Sequence, residues 1–314
     1  MKKVSILLPV FNEEDNINQI YKAIKENIPA NYLTDFIFID DGSSDNSLNV
    51  IKELAIENSD VSFISLTRNF GHQAALMAGL QMAKGDIIIT MDADFQDPPD
   101  KISDFFELYE SGKKIVYGKR VSRKNDGFVK RLTAKWYYKI QKLSSGYDIL
   151  ENVGDFRLMD KEVVDNLLKM NEKSIYLRGM ISWMGFPYGL VEYERPVRKS
   201  GETKYSLIKM ISLAMNGILS FSFLPLKIGF FIGILSMGLG ASFLTYIIYD
   251  VLINNEVYPL FKWLVVILFI FVGFLFTLLW ILSEYIGKIY YENLNRPIFV
   301  VNETSVNQKG ETQS

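Results

Sequence analysis

Gly85-Asp86-Ile87-Ile88-Ile89-Thr90-Met91-Asp92-Ala93-Asp94-Phe95-Gln96-Asp97-Pro98-Pro99 runs an apolar strand, Ile87 to Met91, straight into a knot of carboxylates that two prolines keep out of any following helix. Carboxylates at the carboxyl end of a buried strand stand where open α/β sheets bind ligands. Asp92 and Asp94 repel one another unless a cation lies between them, and hard oxygen donors suit Mg²⁺ or Mn²⁺ rather than zinc. A metal held this loosely shares its shell with phosphate. Taken alone, the stretch reads more simply as an acidic surface turn capping the next helix, so its neighbours decide.

Towards the N-terminus, Val4 to Val10 is a near-continuous apolar strand of the kind covered on both faces. It breaks at Phe11-Asn12-Glu13-Glu14, where Asn12 is expected to cap a helix running to about Asn27, with glutamates in its first turn. A second strand, Phe36 to Ile39, ends in Asp40-Asp41-Gly42-Ser43-Ser44-Asp45, and a helix follows to about Glu57. A third, Val61 to Leu66, leads into Arg68-Asn69-Phe70-Gly71-His72 and a helix of small and apolar residues from Gln73 to Ala83. Strand and helix alternate, which predicts a parallel, doubly wound α/β sheet. Asn12 and Glu13, Asp40 and Asp41, and Asp92 and Asp94 should then converge on one crevice. Asp40 or Asp41 is placed to accept hydrogen bonds from a base or ribose, although an ordinary helix-capping turn has the same sequence. There is no G-x-G-x-x-G and no P-loop lysine, so phosphates must be handled by the metal and by cations elsewhere.

Those cations follow. Between Lys113 and Lys142 lie eleven lysines and arginines, among them Arg120, Arg131 and Lys135, against a single acid, Asp126. Lys135 and Lys139, one turn apart with Trp136, Tyr137 and Tyr138 between them, suit an amphipathic helix on a membrane surface. Docking to anionic lipid and capture of one anionic headgroup are equally consistent with the segment. Further on, Asp155 in Gly154-Asp155-Phe156-Arg157-Leu158-Met159-Asp160 sits among apolar residues, which would raise its pKa as suits a general base; a helix cap or a pair with Arg157 is the plainer reading. Val191 to Val197 is expected to be a late strand. The glycine-hinged loop from Arg198 to Ser206 is placed to close over phosphates through Lys204.

Composition excludes several classes. The chain of 314 residues has no cysteine, so disulfides, thiolate metal sites and a cysteine nucleophile are out, and its one histidine, His72, rules out a histidine-rich zinc site. A net charge of -2 argues neither for nor against nucleic acid. Ile228 to Tyr249 and Trp263 to Ser283 carry no charge, and each is long enough to cross a hydrocarbon core of about 30 Å. Aromatic residues gather towards their ends. The apolar run after Met1-Lys2-Lys3 is too short for a signal peptide, and Asp250 to Pro259, between the spans, holds Asp250 and Glu256 but no lysine or arginine. Both termini are therefore expected in the cytoplasm. Residues 1–205 would form the cytoplasmic catalytic domain, 206–225 an amphipathic juxtamembrane segment, 226–287 a transmembrane hairpin and 288–314 a cytoplasmic tail, disordered from Asn302.

Pro9-Val10-Phe11-Asn12-Glu13-Glu14, Asp40-Asp41-Gly42-Ser43, Arg68-Asn69-Phe70-Gly71, Asp92-Ala93-Asp94-Phe95-Gln96-Asp97-Pro98-Pro99, Gly154-Asp155-Phe156-Arg157-Leu158-Met159-Asp160 and Thr203-Lys204-Tyr205-Ser206, in this order, resemble the family 2 inverting glycosyltransferases. Within them the chain is most similar to the polyisoprenyl-phosphate glycosyltransferases, which include bactoprenol glucosyltransferases and dolichol-phosphate mannose synthases. The resemblance implies a GT-A type fold and transfer of a sugar, UDP-glucose being the first choice of donor and UDP-N-acetylglucosamine the second, to polyprenyl (undecaprenyl) phosphate. It implies nucleotide or donor contacts by Pro9, Phe11, Glu13, Asp40, Asp41, Asp92 and Lys204. Asp92, Asp94 and Gln96 would lie at Mg²⁺ or Mn²⁺, with Arg120, Arg131 and Lys135 at the lipid phosphate and Asp155 in the place of the catalytic base. His72 is expected to order its loop. Membrane lipids are implied partners and nucleic acid is not; a homo-oligomer, a downstream flippase and a second glycosyltransferase are further expectations. The other class left open is a non-catalytic, nucleotide-sugar-binding membrane scaffold.

Overall fold

The computed structural model describes residues 1–121, 150–194 apart from 151, 171 and 174, isolated helical positions between 242 and 253, and 260–306 apart from 295. Arg131, Lys135, Lys204 and nearly all of the first expected span lie outside the described residues. The chain divides into two compact units, one built of residues 1–142, 147–204 and 296–314, the other of 143–146 and 205–295.

The first unit is laid on a sheet of eight strands: β1 (Lys3–Val10), β2 (Leu33–Asp40), β3 (Val61–Leu66), β4 (Ile87–Thr90), β5 (Ile115–Arg120), β6 (Val153–Asp160), β7 (Tyr188–Tyr193) and β8 (Val301–Thr304), in the spatial order β7-β5-β6-β4-β1-β2-β3-β8. Four of these strands are apolar on both faces because helices cover both. Alternate residues Ile6, Leu8, Phe36 and Phe38 pack with Ile17, Ile20 and Ile24 of α1 (Ile17–Asn27), Ile51 of α2 (Ser47–Glu57) and Phe105 of α4 (Ile102–Glu110). Leu7, Ile37, Ile39 and Ile64 face α3 (His72–Met82). The small residues of α3 have a packing reason, since a Cβ on Gly79 would come within 2.9 Å of the Ile39 side chain. Two short helices, α5 (Lys161–Leu167) and α6 (Leu177–Trp183), follow β6.

The parallel arrangement holds for β4-β1-β2-β3, where Val10 lies opposite Asp40 and Asp40 opposite Ser65. The whole sheet, however, is mixed rather than parallel. Strand β6 runs antiparallel between β4 and β5, with Arg157 opposite Thr90, and β8 runs antiparallel to β3. The reversal of β6 matters: its beginning, not its end, lies at the carboxyl edge of β4. That is how Asp155, early in β6, reaches the edge that carries Asp92.

Three further expectations are corrected. Helix α1 begins at Ile17 after Asn16, with no acid in its first turn, because Asn12 takes a left-handed backbone (φ 57°) and spends its side chain on the neighbouring loop. The late strand is Tyr188–Tyr193, earlier than read, its alternating exposed and buried residues marking a half-covered edge strand. The tail is not disordered from Asn302, since Val301–Thr304 pairs with β3 and Ser305 continues it through its N–H to the Phe63 carbonyl at 3.0 Å.

The second unit contains α7 (Leu260–Asn293), a helix of 34 residues that includes the second expected span. Among the described residues no helix is long and apolar enough to cross a membrane; the side chains of α7 are described only in part.

Candidate active site

The carboxyl edges of β1 and β2 are laced together. The Asn12 side-chain oxygen accepts the Ser44 N–H at 2.8 Å, while its own N–H donates to Ser43 Oγ at 3.0 Å. Glu13 accepts from Asn16 Nδ2 at 2.6 Å, and its N–H donates to Ser47 Oγ at 2.9 Å. Asp40 accepts the Ser43 N–H at 3.1 Å and the Ser65 hydroxyl at 3.3 Å. Asp41 accepts the N–H groups of Phe70 and Gly71 at 2.7 and 2.9 Å. Burial pushes the Asp41 carboxyl upwards, against these two donors. Both aspartates are thus buried and satisfied by Ser43, by β3 and by the loop after it, Pro9 is buried at the end of β1, and Phe11 is 46% exposed. The Asp41 clasp also sets the next loop. Gly71, at φ 99°, turns the chain so that His72 opens α3.

After β4 the chain folds the DxD turn back on itself. Phe95 is held at φ 57°, an uncommon conformation for a bulky residue and one that concentrates at functional sites. Asp94 accepts the Gln96 N–H at 3.0 Å and the Gln96 side-chain amide, so Gln96 orients Asp94. Asp97 is wholly buried, bound by the Tyr193 hydroxyl and by Arg120 Nη2 at 3.3 Å. Arg120 also donates from Nε to Tyr193 at 3.0 Å. The Arg120 guanidinium is therefore committed to Asp97 and Tyr193. Asp97 Oδ2 has no hydrogen-bond partner among the described residues. Burial, followed by the charges of Asp97, Asp155 and Asp94, pushes the Asp92 carboxyl up to about 6, although His72 opposes the rise. A turn that resists holding all its negative charge fits a divalent cation, and its donors are the hard oxygens that Mg²⁺ or Mn²⁺ prefers. Among the described residues no three acidic or imidazole groups are arranged to hold a metal by themselves. Asp92 and Asp94 would therefore leave much of a cation's shell to phosphate oxygens.

Asp155 is the opposite case. Burial alone would raise its pKa, as its apolar sequence neighbours suggest, but a hydrogen bond from His72 and the charges of Arg157 and Arg178 outweigh burial and hold it far below the ordinary carboxylate range. Arg157, 1% exposed, pairs with it from within the sheet. His72 Nε2 lies 3.3 Å from Asp155 and 3.5 Å from Asp92, bridging the two carboxylates. Gln73 donates to Asp155 at 3.3 Å and accepts the Leu177 N–H at 3.2 Å, tying α3 to α6. Arg178 on α6 completes the ring at 3.4 Å. A Cβ on Gly154 would lie 2.8 Å from Arg120 Nη2, so a larger residue there would shift the Arg120 guanidinium.

The structure thus brings Asp92, Asp94, Gln96, Arg120 and Asp155 together. Sequence reading missed Asp97, Gln73 and Arg178, and gave His72 only its loop. Asp97 lay within the quoted DxD stretch, whereas nothing in Ser174-Ile175-Tyr176-Leu177-Arg178 distinguishes Arg178 from a surface arginine.

A mixed α/β sheet gathers the carboxylate turn and an arginine-bound aspartate at one edge. The profile of Glycosyl transferase family 2 matches residues 5–168, and the chain belongs to that family, with its GT-A-like fold. It is 39% identical over 300 residues to a prophage bactoprenol glucosyl transferase homolog of Escherichia coli strain K12, covering 95% of this chain and 98% of that protein. To the bactoprenol glucosyl transferase of Shigella phage SfII it is 40% identical over 306 residues, 96% and 98% of the two chains. Among solved structures it is similar to glucosyl-3-phosphoglycerate synthase from Mycobacterium tuberculosis, determined in complex with Mn²⁺, UDP and glucosyl-3-phosphoglycerate, at 16% identity and a TM-score of 0.46 over 69% of this chain and 78% of that one.

Proposed function

We propose that this chain transfers a sugar, with inversion, from a UDP-sugar to polyprenyl phosphate at a membrane surface. The carrying observation is the pairing of two unlike halves in one crevice. The Asp92–Asp97 turn carries excess negative charge that a cation would relieve, and beside it Asp155 is flanked by two guanidinium groups. The names of the relatives, matched over nearly the full length, support the acceptor class. UDP-glucose is the donor we favour, over UDP-N-acetylglucosamine.

An acceptor phosphate monoester is largely dianionic at neutral pH, its second pKa lying near 6. Its oxygen needs no strong base. Asp155, permanently ionised, serves instead to fix His72, Gln73 and Arg178 around the incoming phosphate. The phosphate oxygen attacks the anomeric carbon as the bond from that carbon to the nucleotide diphosphate breaks, giving a β-linked product from an α-linked donor. Asp92 and Asp94, with Gln96 orienting Asp94, would hold Mg²⁺ or Mn²⁺, which when bound would neutralise charge on the departing diphosphate. Phe11 and Glu13 are assigned to the nucleotide in this reading.

The membrane belongs to the same proposal. Helix α7, at about 1.5 Å per residue, is about 50 Å long, and its sequence from Leu264 to Ile281 is free of charge. We read it as one arm of a hairpin that keeps the sheet, and both termini, on the cytoplasmic side of the plasma membrane, where the lipid phosphate emerges.

The test incubates membranes holding the full chain with labelled UDP-sugars and polyprenyl phosphate. A metal-dependent, lipid-extractable sugar is expected with one donor, and Asp94→Asn should abolish it. Near-normal Mg²⁺-supported turnover by that variant would remove the metal role from Asp94. No lipid product with any donor would leave a non-catalytic nucleotide-sugar-binding scaffold in its place.

A further inference from the structure

We infer that Arg178 is the described residue that receives the phosphate of the acceptor, with His72 beside it on the same oxygen of Asp155. The inference rests on the acceptor class proposed above and names the part of the site that recognises it.

The described cations around the crevice are not equivalent. Arg120 is spent on the wholly buried Asp97 and on Tyr193, a network that closes the DxD turn from below. Arg157 is 1% exposed and lies within the sheet, its charge turned to Asp155 and its Cζ 5.9 Å from the ring centre of Tyr117. Arg157 cannot meet a ligand without leaving the sheet, whereas Arg120, its side chain 26% exposed, turns Nε and Nη2 to Tyr193 and Asp97. Arg178 differs. Its side chain is 38% exposed, and it approaches the same carboxylate from the solvent side at 3.4 Å.

Charge supports the assignment. One carboxylate, Asp155, is shared by two guanidinium groups, which leaves a net positive charge whose outward face is Arg178. Arg120 stands within electrostatic reach of Arg178 and adds to the field that an incoming anion meets. A guanidinium presents its donors as a fork that matches phosphate oxygens, and pairing to a carboxylate through one nitrogen keeps it oriented while leaving further donors for a ligand. His72 meets the same Asp155 oxygen, Oδ2, as Arg178 does, its side chain 40% exposed, with Nε2 within 3.5 Å of Asp92. A phosphate seated between Arg178 and His72 would thus adjoin the carboxylate turn. Gln73 keeps the two elements in register, holding Asp155 with its amide nitrogen and the Leu177 backbone, next to Arg178, with its oxygen.

The experiment uses the full chain in detergent with UDP and metal present and a short-chain prenyl phosphate as the probe. Direct binding is measured beside steady-state turnover for wild type, Arg178→Gln and Arg178→Lys. Loss of one charge-assisted contact should weaken Arg178→Gln binding of the probe by about tenfold or more, with a parallel rise in lipid KM, an unchanged donor KM and partial recovery in Arg178→Lys. Equal probe affinity in wild type and Arg178→Gln overturns the inference. So does a loss that falls equally on donor and lipid, since that marks a structural role. Binding of the probe by wild type without turnover would overturn the proposed reaction and leave the Arg178 assignment standing; no binding by wild type overturns both.

Discussion

At the scale of single residues, His72 is the most informative probe because the chain has no other histidine. Its imidazole faces Asp155 and Asp92 while Arg178 and burial act against its charge; the carboxylates prevail and its pKa is raised above the ordinary 6.5. A proton nuclear resonance titration of the metal-free chain should therefore show one imidazole set titrating above that value. Asp155→Asn removes a hydrogen bond and a negative charge, so the midpoint should move down; an unchanged or higher midpoint would mean that His72 does not face Asp155. The sign carries to stability: a raised imidazole favours the folded state below pH 6.5 and loses that contribution as pH climbs through the folded value. Asp155 behaves in the reverse sense, with a depressed carboxyl whose stabilisation is present above its unfolded pKa and fades only in strong acid. Sequence suggested a raised pKa for Asp155 because its nearest neighbours are apolar. Its real environment includes His72 and Gln73, about eighty positions earlier, and Arg178 beyond it, a convergence that no local window displays. Asp92 and Asp94 were legible because a strand and its terminal carboxylates lie together in sequence.

Among the elements, β8 was the least legible. Val301-Asn302-Glu303-Thr304 has neither an apolar run nor alternation strong enough to mark a strand, and it lies far along the chain from the edge it covers. What makes it a strand is β3, whose outer edge would otherwise be open. The pairing is dense: the Thr67 N–H donates to the Val300 carbonyl at 3.0 Å, the Thr304 hydroxyl to the Phe63 carbonyl at 2.9 Å, and the Phe63 N–H to Ser305 Oγ at 2.9 Å. Lys52 pairs with Glu303, while Phe299, Val301 and Val306 pack on the core beside α3. Thr67 immediately precedes the loop that carries His72, so β8 also steadies the approach to the site. Removing residues 300–314 should cost about 2 to 4 kcal/mol, from a few net hydrogen bonds and modest apolar burial. Urea unfolding of the detergent-solubilised chain would measure it, and a midpoint within error of wild type would show that β8 contributes nothing. The first four strands were read correctly because burial on both faces writes itself as apolar runs. The reversal of β6 could not be, because the direction in which a strand enters a sheet depends on its connection and leaves no mark in its own residues.

For the molecule as a whole, β8 imposes a condition on topology. The sheet holds residues before Tyr193 and residues after Val300 hydrogen-bonded in one layer, so both must lie on the same side of any membrane. The chain between them must then cross an even number of times. One crossing by α7 requires another between Tyr193 and Leu260, which is where the uncharged run Ile228 to Tyr249 stands. Sequence leads to the expectation of a hairpin from hydropathy and from the absence of lysine and arginine over Asp250 to Pro259; the strand pairing requires only that any crossings be even in number. Because the chain contains no cysteine, the topology can be read without background by introducing one thiol at a time. Ile56, 85% exposed at the end of α2, and Val300, 44% exposed before β8, report the first unit before and after the expected spans, and Asn255 reports the stretch between them. In intact cells a membrane-impermeant maleimide should label Asn255→Cys and spare Ile56→Cys and Val300→Cys until the membrane is opened. Labelling of Ile56→Cys and Val300→Cys from opposite sides would contradict the pairing of β8 with β3. If Asn255→Cys is protected together with the other two, the hairpin is wrong, and α7 lies along the membrane or within another assembly instead of through the bilayer.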